Sequence, residues 1–261
     1  MTFDLIFKAG WSGFGLVSVV VGLYMVNQGR KRRARSIRIA KTETTHVRDL
    51  QQGTVEVKGT ARPADDADPM ESPITAADSL TTHVEIEKYQ SSNQGGGSWK
   101  TIHEKQRSIP FLVDDGTGKV RVEPPSDGTA NVEQIQTTVG GGEEPPEPIR
   151  RFVEQETEVE EAARFDLGLL SVGERRRYSE GVIEPGEEVY VLGRVREKQA
   201  GWGDRAYVID EPTETGDFIL SDKSEEDLIQ EGRWSSALML GFGGLCAVVG
   251  VAFAALPWLV S

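Results

Sequence analysis

The stretch SIPFLVDDGTGKVRVEPPS, residues 108–126, decides whether the middle of this chain is made of strands or is built around a ligand loop. A phosphate cradle needs a glycine five residues before its Gly-Lys pair and a Ser or Thr directly after it. Those slots hold Val113 and Val120. A calcium loop spaces its oxygen ligands at alternate positions and ends on a bidentate glutamate, whereas Asp114 and Asp115 are adjacent and diverge. Ile109, Phe111 and Val113 alternate, as do Val120 and Val122, and the Asp-Gly-Thr-Gly between them supplies a tight reversal. We read a β-hairpin, with Asp115, Gly116 and Gly118 as its structural turn and Phe111 toward a core.

Working outward, short alternating runs recur. Val55 and Val57 precede Gly59, and Val84 and Ile86 precede Tyr89. Val189 and Val191 follow the turn at Pro185 and Gly186, and Tyr207–Ile209 and Phe218–Leu220 add two more runs. Residues 91–98 separate two arms of a long hairpin. Glu147-Pro148 starts a helix with Ile149, Phe152 and Val153 on one face, ahead of the acidic run 154–161. A short helix is expected over 41–50, and Ser224 with Glu225, Glu226 and Asp227 caps another.

Two uncharged runs, Ala9–Val26 and Trp234–Val260, are each long enough to cross the roughly 30 Å of a bilayer core as a helix. No small-x-small cleavage site follows the first, and its arginines come after the apolar run rather than before it, so it reads as a retained span. The expected order is an N-terminal tail 1–8, a transmembrane helix 9–26, a basic juxtamembrane stalk 27–44, a β-rich domain 45–222, a helical linker 223–233 and a second transmembrane helix 234–260. The fold class is mainly β (α+β), with one barrel- or sandwich-like domain between two transmembrane helices. Small residues four apart, Ser18 with Gly22 and Gly250 with Ala254, offer close helix packing within the chain or in a homo-oligomer.

Arg30, Lys31, Arg32, Arg33 and Arg35, followed by Arg38 and Lys41, form a membrane-interface basic stretch without an acid, against a lone Lys8 on the other flank. Positive flanks resist translocation. The expectation is a multi-pass cell-membrane protein with its domain cytoplasmic and both termini outside. The net charge is −13, and with that basic stretch set aside the remainder is more acidic still. Such a surface repels nucleic-acid phosphate and favours a protein partner, a basic one being its charge complement. Cys246 is the only cysteine and lies in the second span, while His46, His83 and His103 are far apart. No disulfide, metal site or cofactor is expected. His83 beside Glu85 and His103 beside Glu104 leave a Ser-His-acid reading open, but strand histidines are more often surface, and no catalytic residue is assigned.

Several separated phrases resemble one known family. They are Val55-Glu-Val-Lys-Gly-Thr-Ala61, Ser72-Pro73, Val84-Glu-Ile-Glu-Lys-Tyr89, Ile109–Gly118, Tyr178-Ser-Glu180 and Pro185–Gly193. In this order, between two membrane helices and over residues 45–210, they are similar to the GIDE, or beside-a-membrane, domain of the mitochondrial E3 ubiquitin ligases. The resemblance implies a ubiquitin-related setting and, in the family, a RING domain after the second membrane helix. A RING needs two zinc ions and eight Cys or His ligands. The sequence ends one residue past its second apolar run and holds one cysteine and three histidines. The expectation is therefore an interaction module without ligase activity of its own. A RING-bearing partner in trans and a self-assembling quality-control or remodelling module are the alternatives. The resemblance also places the domain across the membrane from the RING, against the orientation read from the basic stretch.

Overall fold

The computed structural model describes residues 2–92, 96–125, 130–155, 175–200, 204–211 and 218–259. They form two compact units, a pair of long helices and the β-rich region 43–224. The long helices are α1 (Thr2–Ile39) and α3 (Glu225–Leu259), and one shorter helix, α2 (Glu147–Gln155), lies in the β-rich unit.

In the β-rich unit, β1 (Gly53–Pro63), β6 (Phe111–Asp114), β7 (Lys119–Val122), β11 (Asp204–Asp210) and β10 (Glu188–Ala200) pair in that order, and β10 returns to β1. The sheet therefore closes. All pairings are antiparallel except β7 with β11, where Val208 meets Arg121 and Ile209 meets Val122. Counting barrel strands only, the order is 1-2-3-5-4-1 with the third and fifth parallel, which is the connectivity of an OB-type barrel. A short β12 (Ile219–Ser221) pairs with Tyr190–Leu192.

Two insertions between barrel strands build a second layer. The first carries β2 (Met70–Glu71), β3 (Asp78–Ser79), β4 (Thr81–Ser92) and β5 (Gly96–Ser108). The second carries β8 (Gln134–Val139), α2 and β9 (Arg176–Ile183). Strands β5, β4, β9 and β8 form an antiparallel sheet of their own. Inward alternation fills the barrel with Val57, Ala61, Phe111, Val113, Val122, Val191 and Ile209, all at most 1% exposed. At about 1.5–3 kcal/mol per large apolar side chain, this core holds the unit. The smaller core packs Ile149 and Phe152 of α2 on Val84, Ile86, Val139 and Tyr178.

The region expected to be a short helix at 41–50 contains a single 3-10 turn, Val47–Asp49. Its start is drawn into the barrel, because the Thr45 amide donates to the Glu56 carbonyl at 2.8 Å and Thr44 bridges Glu56. Helix α1 runs without a break from the apolar stretch through the basic one to Ile39.

Helices α1 and α3 meet along a seam of small residues. A Cβ added at Gly15 would lie 2.5 Å from the Ala254 amide and the Gly250 carbonyl, and one at Gly22 2.6 Å from the Ala247 amide and the Gly243 carbonyl. Gly15 and Gly22, like Gly243 and Gly250, are seven residues apart, the spacing of a left-handed pair. Gly22, Gly250 and Ala254 lie on this seam, so the close-packing face is occupied within the chain. Ser18 turns back to donate to the Phe14 carbonyl at 3.0 Å. Outside the seam, Phe14, Leu16, Val20 and Leu23 of α1 and Leu238, Phe242, Leu245 and Val248 of α3 are exposed. Both helices are long and apolar enough to cross a membrane, over Gly10–Ile39 and Glu225–Leu256. Apolar surface presented to the outside on two such spans is the mark of a membrane protein.

Candidate functional site

Carboxylates hidden in the β-rich unit are the natural places to look for chemistry, because burying a charge is costly unless it is hydrogen-bonded; besides Asp210, which pairs with Arg196, they include Glu56, Asp115 and Glu180. Glu56 on β1 is fully buried; the Tyr190 hydroxyl donates to it at 2.8 Å and the Thr44 hydroxyl at 2.6 Å, with Lys58 Nζ 3.6 Å away. Its acceptors are used within the barrel wall.

Asp115 occupies the turn between β6 and β7. It accepts the Val47 amide at 2.9 Å, the Thr117 amide at 2.9 Å and hydroxyl at 2.7 Å, and the Gly118 amide at 3.1 Å, with His46 Nδ1 at 3.3 Å. Gly116 takes φ +80°, while a Cβ on Gly118 would sit 3.0 Å from Val47 Cγ1, so one glycine serves the reversal and the other the approach of the 3-10 turn. Burial pushes the Asp115 carboxyl up, but the donors from Val47 and Thr117 outweigh it and hold the group well below the usual carboxylate range. A folded-state pKa below the unfolded one gives stability that is complete above the unfolded value and is lost as pH falls toward the folded one. Asp115→Asn is expected to lower stability by about 1–3 kcal/mol at neutral pH. The gap from wild type should hold above about pH 5 and shrink in more acidic buffer, as thermal melts of the full chain in detergent will read. A gap that does not change with pH would refute the charge-based account.

Glu180 on β9 ties two distant parts of the chain together. Its carboxylate, 1% exposed, accepts the Ile74 amide at 3.0 Å and the Thr75 amide and hydroxyl at 2.7 and 2.8 Å. The Ser72 hydroxyl then donates to Thr75 Oγ1 at 2.6 Å and accepts the Ala77 amide at 3.0 Å. The loop so held places Ala76 at φ 57°, a left-handed conformation that costs an alanine about 1–2 kcal/mol. Beside it opens a cleft of about 550 Å³ between the loop and α2, lined by Glu71, Pro73, Ala76, Arg107, Arg151 and Phe152. A strained residue on a pinned loop at the rim of a cleft marks a candidate binding surface.

The histidines do not converge. Cross-strand partners share a face, and His83 pairs with Gln106 whereas His103 pairs with Ile86, three residues along β4. His83 and His103 therefore lie on opposite faces of the sheet. His103 meets Phe152 edge to face at a centroid distance of 6.0 Å, and His83 Nε2 is 3.7 Å from Glu104. Pro185 and Gly186, the latter at φ +100°, form the turn between β9 and β10, where the Gly186 amide donates to the Ala61 carbonyl at 2.8 Å. Arg30, Lys31, Arg32, Arg33 and Arg35 all lie on α1. Most of the acidic run 154–161 falls outside the described residues, as does 93–95 of the β4–β5 hairpin tip.

A sequence model described as GIDE, E3 ubiquitin ligase, matches residues 81–255, from the start of β4 into α3. The chain belongs to the GIDE family. No curated protein matches it. Of the GIDE-like phrases, those from Val84 onward lie inside the matched range, and Val55–Ala61 and Ser72-Pro73 precede it. The carboxylate contacts join the phrases across that boundary: Glu56 of the first meets Tyr190 of the last, and Glu180 holds the loop that follows Ser72-Pro73. Each of these contacts thus joins a residue inside the matched range to one that precedes it. The cleft, whose arginines lie outside all of the phrases, could not be found from them.

Proposed function

We propose that this GIDE-family chain is a membrane-anchored protein-interaction module that docks a partner in the cleft between the Glu180-held loop and α2. The single observation behind this is that loop: its hydrogen bonds are spent on fixing a shape at the rim of a cleft, while the buried carboxylates Glu56, Asp115 and Glu180 each face internal donors rather than open space. The net charge of −13 steers a basic surface toward the domain from a distance. Within the cleft, Arg107 and Arg151, the latter also within 3.7 Å of Glu147 on its own helix, stand beside Glu71 and offer guanidinium donors to a carboxylate or carbonyl-rich segment of that partner. The basic stretch on α1 favours a cytoplasmic domain at the cell membrane, with both termini outside. The family description, E3 ubiquitin ligase, favours a second reading in which the partner carries the ubiquitin-transfer machinery.

Affinity purification of the full chain from native membranes, wild type beside Arg107→Glu/Arg151→Glu, tests both readings. We expect a partner in the wild-type eluate to fall at least roughly tenfold with the double reversal, since two like-charge contacts cost several kcal/mol. An eluate identical for both proteins would refute cleft docking, and a ubiquitin-like or RING-type protein among the lost partners would favour the second reading.

A further inference from the structure

The two spanning helices change from apolar to charged at different levels. Beyond the apolar run of α1 the charges resume at Arg30, and on α3, running the other way, they end at Arg233. The seam fixes how these points face each other: Gly29 approaches Leu240, and Gly232 approaches Ser36. Over the seven residues between those contacts, about 10 Å of helix, the basic turns of α1 lie beside the apolar turns Trp234–Leu240 of α3. At one depth, the pair presents cations from one helix and hydrocarbon from the other.

A cleft of about 560 Å³ opens between the helices at this level. Arg33 of α1, Lys41 of the turn that follows it and Arg233 of α3 bring positive charge to it, and Ile37, Ile229, Ala237 and Leu240 line it with apolar surface. Among the described residues, the side chains of these three cations make no salt bridge. Glu226 and Glu231 on α3 are exposed and are not among the cleft residues.

We propose that this cleft binds the headgroup of an anionic phospholipid, its phosphate held by Arg33, Lys41 and Arg233 and its first acyl carbons lying along Ala237 and Leu240, on the side of Arg233 that leads into the apolar run. Charge complementarity and placement at the ends of two spans select this occupant. A soluble anion satisfies only the cations and a zwitterionic lipid brings its own positive charge against them. The site differs from general attraction to a charged leaflet, which acts equally on every lysine and arginine at the surface.

The test uses the full chain in neutral detergent, titrated with short-chain phosphatidylglycerol, short-chain phosphatidylcholine or inorganic phosphate, with bound lipid counted by native mass spectrometry. The expected result is one phosphatidylglycerol per chain, held at least roughly tenfold more tightly than phosphatidylcholine. Arg33→Ala/Lys41→Ala/Arg233→Ala should weaken it at least roughly tenfold, and Arg30→Ala/Lys31→Ala/Arg32→Ala, removing the same charge outside the cleft, by much less. Ala237→Trp, which keeps every charge and fills the apolar side, should weaken it as well. Circular dichroism checks that each variant keeps its helices. Equal losses in the two triple variants, equal binding of the two lipids, inorganic phosphate binding as tightly as phosphatidylglycerol, or full binding by Ala237→Trp would each overturn the proposal.

Discussion

Valine at Gly59 is expected to leave the full chain without a cooperative melt of its β-rich unit and with little folded protein to purify. Gly59 sits where β1 leaves its pairing with β10 and begins its pairing with β6, Thr60 being registered with Glu188 on one side and Asp114 on the other. The two neighbours are so close that a Cβ at 59 would lie 2.6 Å from the Asp114 carbonyl oxygen, 2.8 Å from its carbon and 3.0 Å from the Asp115 amide nitrogen. All three are backbone atoms, so no rotamer change relieves the contact; relief requires parting β1 from β6 and opening the barrel. Ordinary overpacking costs about 1–3 kcal/mol. Breaking closure adds lost strand pairing and exposed core, enough to consume most of a typical 5–15 kcal/mol of stability. Because the clash starts at Cβ, Gly59→Ala should be nearly as damaging as valine. A Gly59→Ala protein melting within a few degrees of wild type would show that the close approach is not what closes the barrel.

The same residue shows where sequence reading stops. Gly59 after alternating valines reads as a strand end, and only the pairing of β1 with two partners gives it a role. Local patterns were legible: Phe111, Val113, Val120 and Val122 point inward in the hairpin as their alternation dictates, and Ile149 and Phe152 lie on the buried face of α2. Gly116 has the backbone a reversal demands, but Gly118, equally a turn residue by sequence, is there to admit Val47, some seventy positions earlier. Barrel closure rests on β7 meeting β11 in parallel although the second insertion and β10 both separate them along the chain, and no periodicity reports that. The candidate site failed to show for the same reason. Glu180 looks like one more acid in an acidic chain, and its partners Ile74 and Thr75 are an apolar residue and a threonine whose contribution is mostly main chain.

Removal of that one acid carries the second large expectation. Glu180→Ala should destabilise the β-rich unit by about 2–4 kcal/mol, since two amides and a hydroxyl lose a charged acceptor in a place water does not readily reach. Glu180→Gln, which keeps one acceptor oxygen but turns an NH₂ toward the other donors, should fall between alanine and wild type. The loss is expected to be local first. Hydrogen exchange of the full chain in detergent should show the amides of Ile74 and Thr75 exchanging much faster in Glu180→Ala, while those of Val57 and Val191 in the barrel keep their protection under native conditions. Ala76 gives a separate check. In the wild-type loop its left-handed backbone is imposed, so Ala76→Gly should stabilise by up to about 1 kcal/mol. In the Glu180→Ala background nothing holds residue 76 at positive φ, and the same substitution should gain nothing. Non-additivity of that size, in residues on different strands and loops, is what a carboxylate that shapes the cleft predicts. Protected amides at 74 and 75 without Glu180, or an Ala76→Gly gain that survives its removal, would mean that the loop holds its form by other contacts and that the cleft does not depend on the buried acid.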